Sequence, residues 1–541
     1  MYGISMDIGT SGIRAHAVEL SSGKILSTAI TESHPLPGAN TTDHLTFCIK
    51  MGKDLAHEIM IRTVNQLIRE LGVNLGRVER VAVCGNPTQL SIFQNMWIDD
   101  LAFVGEKAQR LRGIVPQRRN ARTLPAVDVG LNLPDRVELF IPPAVKHEIG
   151  ADALAMLIKS GFLEQKGNCI VTDYGTNAEM ALKVGDKIYT GSAAAGPVME
   201  GQGIKHGMLA VPGAISDMEY EFYWRCKVLD GDLRANDGDL MDLATGSLIS
   251  PGKMHRKARG ITGTGMIAIL GAAMKANIWR KGKLRAPNGR LELQDGLYTT
   301  KSDLLETCKA IGAMRAGYFT LVEHAGINFS DLRIAYMSGA AGTYVDAVKA
   351  REIGLIPPTC DTIYQIGNTS LAMATDIVLK PELQDKLQKL ADGIRHDHVM
   401  FATSGVFEQL FIQELAHWVE GMPMSQYNEI LEEAGIQQLP AVSGKPKVYR
   451  TAERDIPDLG HKGLTILKEM GAELVGNFEG CNGCRKCLRE CPESSMKIDD
   501  ERKIYVRTKN CLGTGCYRCQ FICPKSVYIY EDLKLPDQAE L

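Results

Sequence analysis

NCIVTDYGTN at residues 168–177 and YGISMDIGTSG at residues 2–12 are the two stretches on which the fold turns. In the first copy residues 2–7 read as a strand, Ile8-Gly9-Thr10-Ser11-Gly12 as a tight loop, and 13–20 as a second strand. Ser22-Gly23 then turns the chain into a third strand at 25–31. The second copy repeats this: a strand at 168–173, the loop Tyr174-Gly175-Thr176-Asn177, a strand at 178–184, the turn Gly185-Asp186 and a strand at 187–191. One Asp-x-Gly-Thr is weak, because Gly and Asp punctuate any hairpin. Two copies in the same strand context point to an internal duplication.

Such a loop suits phosphate. Gly9, Gly12 and Gly175 let consecutive backbone N–H groups face one side, and Thr10, Ser11, Thr176 and Asn177 add further donors. Asp7 and Asp173 end their strands, where a carboxylate holds Mg2+ through water rather than phosphate itself. These two are the expected catalytic residues, with Glu179 and Glu200 as alternatives for the base that orients the attacking water. Facing each other, the hairpins would clamp one ATP. No Gly-Lys-Ser/Thr occurs, so a P-loop is excluded.

Strand-loop-helix junctions of small residues follow. They are Gly260-Ile261-Thr262-Gly263-Thr264-Gly265 before a helix at 266–277, Ser338-Gly339-Ala340-Ala341-Gly342 before a helix at 343–350, and Gly367-Asn368-Thr369-Ser370 before a helix ending near 379. Small residues at a helix start admit a flat ring or a diphosphate close to the backbone. Gly339, Ala340, Gly342, Gly367 and Asn368 are therefore candidate nucleotide contacts.

The C-terminus carries a different chemistry. Cys481-x2-Cys484-x2-Cys487-x3-Cys491-Pro492 has the bacterial ferredoxin spacing, and Cys511-x4-Cys516-x2-Cys519-x3-Cys523-Pro524 repeats it with two extra residues in the first gap. In two-cluster ferredoxins the fourth cysteine of each run serves the other cluster. Cys481, Cys484, Cys487 and Cys523 are thus assigned to one 4Fe-4S cluster, and Cys511, Cys516, Cys519 and Cys491 to the second. Paired zinc sites use another spacing, and a disulfide knot needs an oxidising compartment. The other six cysteines are scattered and read as small buried apolar residues.

Composition sets outer limits. The 541 residues are 45% hydrophobic and 23% charged with a formal net charge of -3, ordinary for globular domains and giving no sign of a nucleic-acid or membrane partner. No signal sequence and no apolar run of spanning length is visible, so a cytoplasmic location is expected. An amphipathic helix reads from 53 to 71 and a long one from about 302 to 325 with Ser302 as N-cap. Residues 437–462, with Pro440, Gly444, Pro446 and Pro457, read as an irregular tether. Five arginines lie between 110 and 122, a solvated surface or a dock for an acidic partner. His206, His255, His396 and His398 read as surface or packing residues. The expected domains are two ATPase lobes at 1–165 and 166–400, a helical segment and linker at 401–475, and a ferredoxin domain at 476–541.

Paired Asp-x-Gly-Thr hairpins with a later Gly-rich adenosine loop resemble the ATPases related to actin, sugar kinases and heat-shock chaperones. Asp173-Tyr174-Gly175-Thr176-Asn177-Ala178-Glu179, Ser192-Ala193-Ala194-Ala195-Gly196-Pro197, Gly260 to Gly265, Gly339-Ala340-Ala341-Gly342 and Ile366-Gly367-Asn368 are similar to the reductive activators of corrinoid-dependent methyltransferases. Most of that family carry an N-terminal 2Fe-2S domain. Here Met1 lies six residues before Asp7 and the iron-sulfur motifs are C-terminal, as in the archaeal methylamine branch.

The resemblance implies a two-lobed α/β ATPase with a two-cluster α+β ferredoxin domain. It also implies ATP-dependent reduction of Co(II) to Co(I) on a corrinoid protein, fed by a low-potential electron donor. An uphill one-electron transfer is disfavoured tenfold for each ~59 mV. ATP offsets this only if it binds two states of the complex differently, for example through closure between the lobes. Activation of another low-potential metalloenzyme, or a non-enzymatic sensor or assembly chaperone, are the competing readings. The ferredoxin tail argues against a sugar kinase.

Overall fold

The computed structural model describes residues 1–103, 105–145, 149–394 and 398–539; His396 lies outside them. The chain forms two compact units, one of Met1–Gly150, Ala374–Gln388 and Gly460–Leu541, the other of Ala151–Met373 and Lys389–Leu459.

In the first unit β1 (Tyr2–Ile8), β2 (Ile13–Glu19) and β3 (Ile25–Thr31) form an antiparallel meander, and β4 (Val78–Gly85) runs parallel to β1. The seven-stranded order is Leu464–Leu467, β3, β2, β1, β4, Glu138–Ile141, Arg122–Pro125. β1 is buried on both faces from Gly3 to Ile8, although its sequence alternates Ile4, Met6 and Ile8 with Gly3, Ser5 and Asp7. A Cβ on Gly3 would lie 2.0 Å from Val378, so glycine lets the Thr369–Leu379 helix approach. Helices α1 (Thr41–Met51), α2 (Lys53–Glu70) and α3 (Pro87–Phe93) follow the meander and β4.

The second unit repeats the plan. Its six-stranded order is Lys187–Ala194, Asn177–Val184, Cys169–Tyr174, Ile334–Ser338, Thr362–Gly367, Lys447–Arg450, again an antiparallel meander whose first strand pairs with a parallel one. A five-stranded sheet drawn from residues 214–261 packs with the helices Gly263–Lys275 and Lys301–Ala325 in one apolar core.

Four local expectations differ from the structure. The long helix starts at Lys301, capped by Thr300, whose side chain and that of Asp303 form a reciprocal capping box, so Ser302 lies inside it. The helix expected at 266–277 is Gly263–Lys275, because Thr262 caps it three residues earlier. The helix expected at 343–350 is two, Gly339–Tyr344 and Ala347–Glu352, since Asp346 caps the second and breaks the first. The tether expected at 437–462 contains the strand Lys447–Arg450, paired in register with Thr362–Gln365. Its prolines and glycines flank the strand rather than interrupt it.

The cysteine-rich tail has a three-stranded sheet, Glu473–Gly476, Ile504–Arg507 and Met496–Ile498, with short helices at Lys486–Glu490 and Arg518–Phe521. It packs within the first unit. Thr508 Oγ1 donates to Pro35 O at 2.8 Å, Gly38 N to Cys511 O at 2.9 Å, and Lys509 Nζ reaches Glu32 at 3.1 Å. Among the described residues no helix is long and apolar enough to cross a membrane.

Candidate functional site

Each hairpin carries the expected aspartate one residue before the end of its first strand, but the two carboxylates meet opposite company. Register pairs Asp7 with Arg14, and the guanidinium stands 3.5 Å from the carboxylate. In the second hairpin register pairs Asp173 with Glu179. Burial, then Asp152 and Asp173, hold the Glu179 carboxyl well above the usual carboxylate range. The duplicated hairpins are thus charge-balanced in the first unit and acid-rich in the second.

The loops are held by their own side chains. Gly9 N donates to Gly12 O at 3.0 Å, and a Cβ on Gly9 would stand 3.2 Å from that oxygen; at Gly175 it would stand 3.3 Å from Asn177 O. Closeness, rather than a left-handed φ, is what glycine supplies there. Thr10 is buried, with Asn86 Nδ2 donating to it at 2.9 Å and Thr41 Oγ1 at 3.3 Å. Thr176 donates its hydroxyl to Glu200, which also accepts from Thr176 N at 3.2 Å. Ser11 and Gly12 are buried, whereas Gly9, Gly175 and Asn177 are half-buried and leave loop backbone accessible.

The small-residue junctions of the second unit converge on Asp173. Ser338 Oγ donates to Asp173 Oδ2 at 3.1 Å and lies 3.0 Å from Thr369 Oγ1. Gly339, at φ 83°, lies so close that a Cβ would be 2.4 Å from Asp173 Oδ1. Gly342 is less tightly held, a Cβ there standing 3.2 Å from Met337 C and 3.4 Å from the Tyr174 ring; Ala340 stays half-buried, and Gly367 takes φ 78°. Asn368 Oδ1 accepts from Leu371 N at 3.0 Å and so caps the following helix. Asp173, Gly339, Ser338 and Thr369 therefore form one cluster, with Glu179 across the hairpin. From sequence Glu179 stood among the alternative bases and Ser338 was read only as part of its junction, whereas Arg14 was not singled out. The pairings were available there, because a hairpin loop fixes which residues stand opposite.

The cysteines gather in two groups. Cys481, Cys484, Cys487 and Cys523 line one cavity with Phe478, Ile498 and Tyr528; Cys491, Cys511, Cys516 and Cys519 line another with Met496, Val506 and Tyr530. Each group takes its fourth cysteine from the other run, as the ferredoxin rule expects. Left-handed φ at Gly480, Gly483, Arg485, Gly513 and Tyr517 winds the chain around them. Burial raises the Cys487 and Cys511 thiols and pushes Cys519 up to about 12. At Cys523 burial acts the same way but is outweighed by backbone N–H groups from Tyr528, Lys525, Val527 and Ser526, and the thiol is lowered.

Comparison with known proteins matches three models in chain order: the RACo middle region over residues 2–165, the C-terminal ASKHA domain of RACo over 167–428, and a 4Fe-4S dicluster domain over 473–524. The chain is 46% identical over 520 residues, 95% of its length and 96% of the other's, to the [Co(II) methylated amine-specific corrinoid protein] reductase of Methanosarcina barkeri. It is 25% identical over 373 residues, 66% of its length and 60% of the other's, to the corrinoid activation enzyme RamQ of Eubacterium limosum. The solved structure of a reductive activator for corrinoid, iron-sulfur protein matches with TM-score 0.64 at 23% identity, covering 76% of this chain and 65% of that one. The fold is therefore the actin- and sugar-kinase-like one with a 4Fe-4S ferredoxin domain at its C-terminal end. By these matches along nearly its whole length, the chain belongs to the family of reductive activators of corrinoid proteins.

Proposed function

We propose that the chain is an ATP-hydrolysing reductase that returns corrinoid proteins of methylamine methyltransferases from Co(II) to Co(I), one electron per cobalt. The observation that carries this is the 46% identity over 95% of the chain to the Methanosarcina barkeri reductase. The gathering of eight cysteines into two groups of four supports two 4Fe-4S clusters, which when bound relay single electrons from a low-potential donor. Cys481, Cys484, Cys487 and Cys523 would hold one, and Cys511, Cys516, Cys519 and Cys491 the other. Free cysteines throughout the chain fit a reducing cytoplasm.

The second hairpin fits Mg2+ better than the first. The raised proton affinity of Glu179 opposite Asp173 marks a site crowded with carboxyl groups that a cation would relieve, whereas Arg14 already balances Asp7. Asp173, oriented by Ser338, would hold the Mg2+ of the nucleotide, and Asp7 would serve the corresponding place in its own unit. The backbone of Gly9 to Gly12 and of Gly175 to Asn177 would take phosphate oxygens, and Gly339, Ala340, Gly342, Gly367 and Asn368 the nucleoside. Glu179 has the raised proton affinity of a group that accepts a proton from attacking water once the cation lowers it. Glu200, tied to Thr176, instead shapes the loop.

The test supplies the anaerobically reconstituted chain with a reductant and a methylamine-type corrinoid protein. The cobalt absorbance bands report Co(I). Co(I) is expected to accumulate with ATP and Mg2+; an equal yield without ATP would overturn the proposal.

A further inference from the structure

Within the first unit an unbroken series of contacts runs from the first hairpin loop to a ligand of the second cysteine group. Thr10 accepts from Asn86, whose Oδ1 accepts from Gln89 N at 3.0 Å and so caps α3. Gln89 Nε2 lies 2.8 Å from His44 Nδ1, on α1. His44 stacks on His34 with ring centroids 4.2 Å apart. His34 Nδ1 accepts from Leu36 N at 3.1 Å, and the segment it fixes receives Thr508 Oγ1 at Pro35 and passes Gly38 N to Cys511 O. Helix α1 spans the same distance as a rigid piece. Its Thr41 touches Thr10, while its Asp43 accepts from Ala39 N at 2.8 Å and would lie 3.0 Å from a Cβ on Gly515.

The polar groups in this path are costly unless they serve something. His44 and Gln89 are completely buried and His34 nearly so, yet Nε2 of both rings and Oε1 of Gln89 have no hydrogen-bond partner. An apolar trio would pack here without that penalty. The contacts of this path end at Cys511 and touch none of Cys481, Cys484, Cys487 and Cys523.

We infer that Gln89 and His44 are positioning residues that pass occupancy of the Gly9–Gly12 loop to the second cluster, the one held by Cys511. This rests on the reading of that loop as a nucleotide site and of the cysteines as cluster ligands. Phosphate on the loop moves Thr10 and Asn86; α3 and α1 follow; and the Pro35–Gly38 segment shifts against Cys511. Nucleotide thereby changes the reduction potential of the second cluster and leaves that of the first alone.

The experiment is a potentiometric titration of the reconstituted full chain, read by electron paramagnetic resonance, with and without a non-hydrolysable ATP analogue and Mg2+. Chains with Cys484→Ser and Cys516→Ser assign the two signals, and analogue binding is measured on the same samples. The expected result is a change of at least threefold in the reduced-to-oxidised ratio of the second cluster at fixed potential, about 28 mV for one electron. Gln89→Leu should bind the analogue and lose the shift. His44→Asn, whose amide oxygen replaces Nδ1, should keep it, and Thr508→Val should weaken it from the far end. Binding without a shift in the second cluster, or a full shift in Gln89→Leu, overturns the coupling. Failure of the native chain to bind the analogue overturns the nucleotide reading beneath it.

Discussion

Glu179 stands directly opposite Asp173 in the antiparallel register, and burial with neighbouring carboxylates raises its proton affinity. Glutamine is close in shape to a protonated glutamate. Glu179→Gln is therefore expected to leave stability within about 1 kcal/mol of the native chain while lowering steady phosphate release by about 10²–10⁴. Urea unfolding and a phosphate assay measure the two. Native turnover in this variant would remove Glu179 from the chemistry.

Gly339 is fixed by contact as well as by backbone angle, since a methyl there would stand 2.4 Å from Asp173 Oδ1 at φ 83°. Gly339→Ala should cost more than about 1 kcal/mol and weaken nucleotide binding at least tenfold by displacing the carboxylate. Ala340→Gly, at the half-buried neighbour, should do neither. Calorimetric titration with ATP and Mg2+ on both variants decides it.

The hairpins, both meanders and the cluster motifs were legible because each is a short-range pattern. Strand ending in Asp, a two- to four-residue turn and Cys spacing all lie within windows that one element fills. The capping box of Thr300 and Asp303 was equally local, and only the choice of Ser302 hid it. Leu464–Leu467 and Lys447–Arg450 were not legible, because each is a four-residue strand made by pairing with a partner far away in sequence. Nor was the five-stranded sheet of residues 214–261, whose half-exposed strands carry an apolar signal on one face alone. Of the cluster around Asp173, the glycines and the aspartate were visible. The identity of what faces them was not used, although the loop length determines it.

The proposed crossed ligand sets predict different outcomes from an uncrossed arrangement. Cys491→Ser should perturb the signal that Cys516→Ser removes, and Cys523→Ser the one that Cys484→Ser removes. Iron analysis and low-temperature magnetic resonance of the four variants check this. If Cys491→Ser altered the same signal as Cys484→Ser, each run would bind its own cluster.

Burial lowers the His44 imidazole to about 3, and burial together with His44 holds His34 well below the usual range. Both are neutral in the folded chain and take up protons on unfolding below about 6.5. Their contribution is therefore intact above that pH and is lost as pH falls toward the folded values. Between pH 7.5 and 5.5 His44 should remove about 1.4 kcal/mol from the first unit's stability, and His34 acts in the same direction. Urea unfolding at both pH values, compared with His44→Asn, should show the pH dependence reduced by about that 1.4 kcal/mol; an unchanged dependence refutes the assignment.

In the second unit Arg315 and Glu414 form a buried pair at 3.2 Å, and Glu414 also accepts from Trp418 at 3.1 Å and Tyr427 at 2.6 Å. Arg315→Met should destabilise this unit by about 3–5 kcal/mol, because it strands a desolvated carboxyl. Adding Glu414→Gln should recover part of the loss. A thermal scan of the single and double variants measures it, and equal melting of single variant and native chain would contradict it.

Leu464–Leu467 completes the flank of the first sheet by lying along β3, which was made near the start of translation. Until the ribosome has nearly finished, β3 therefore presents bare amides and carbonyls to any passing strand. The segment that covers them leads directly into the iron-binding tail. A chain cut before that segment would be a sticky fragment rather than a cluster-free ATPase, so maturation of the front unit has to wait for the last part of the protein to be synthesised.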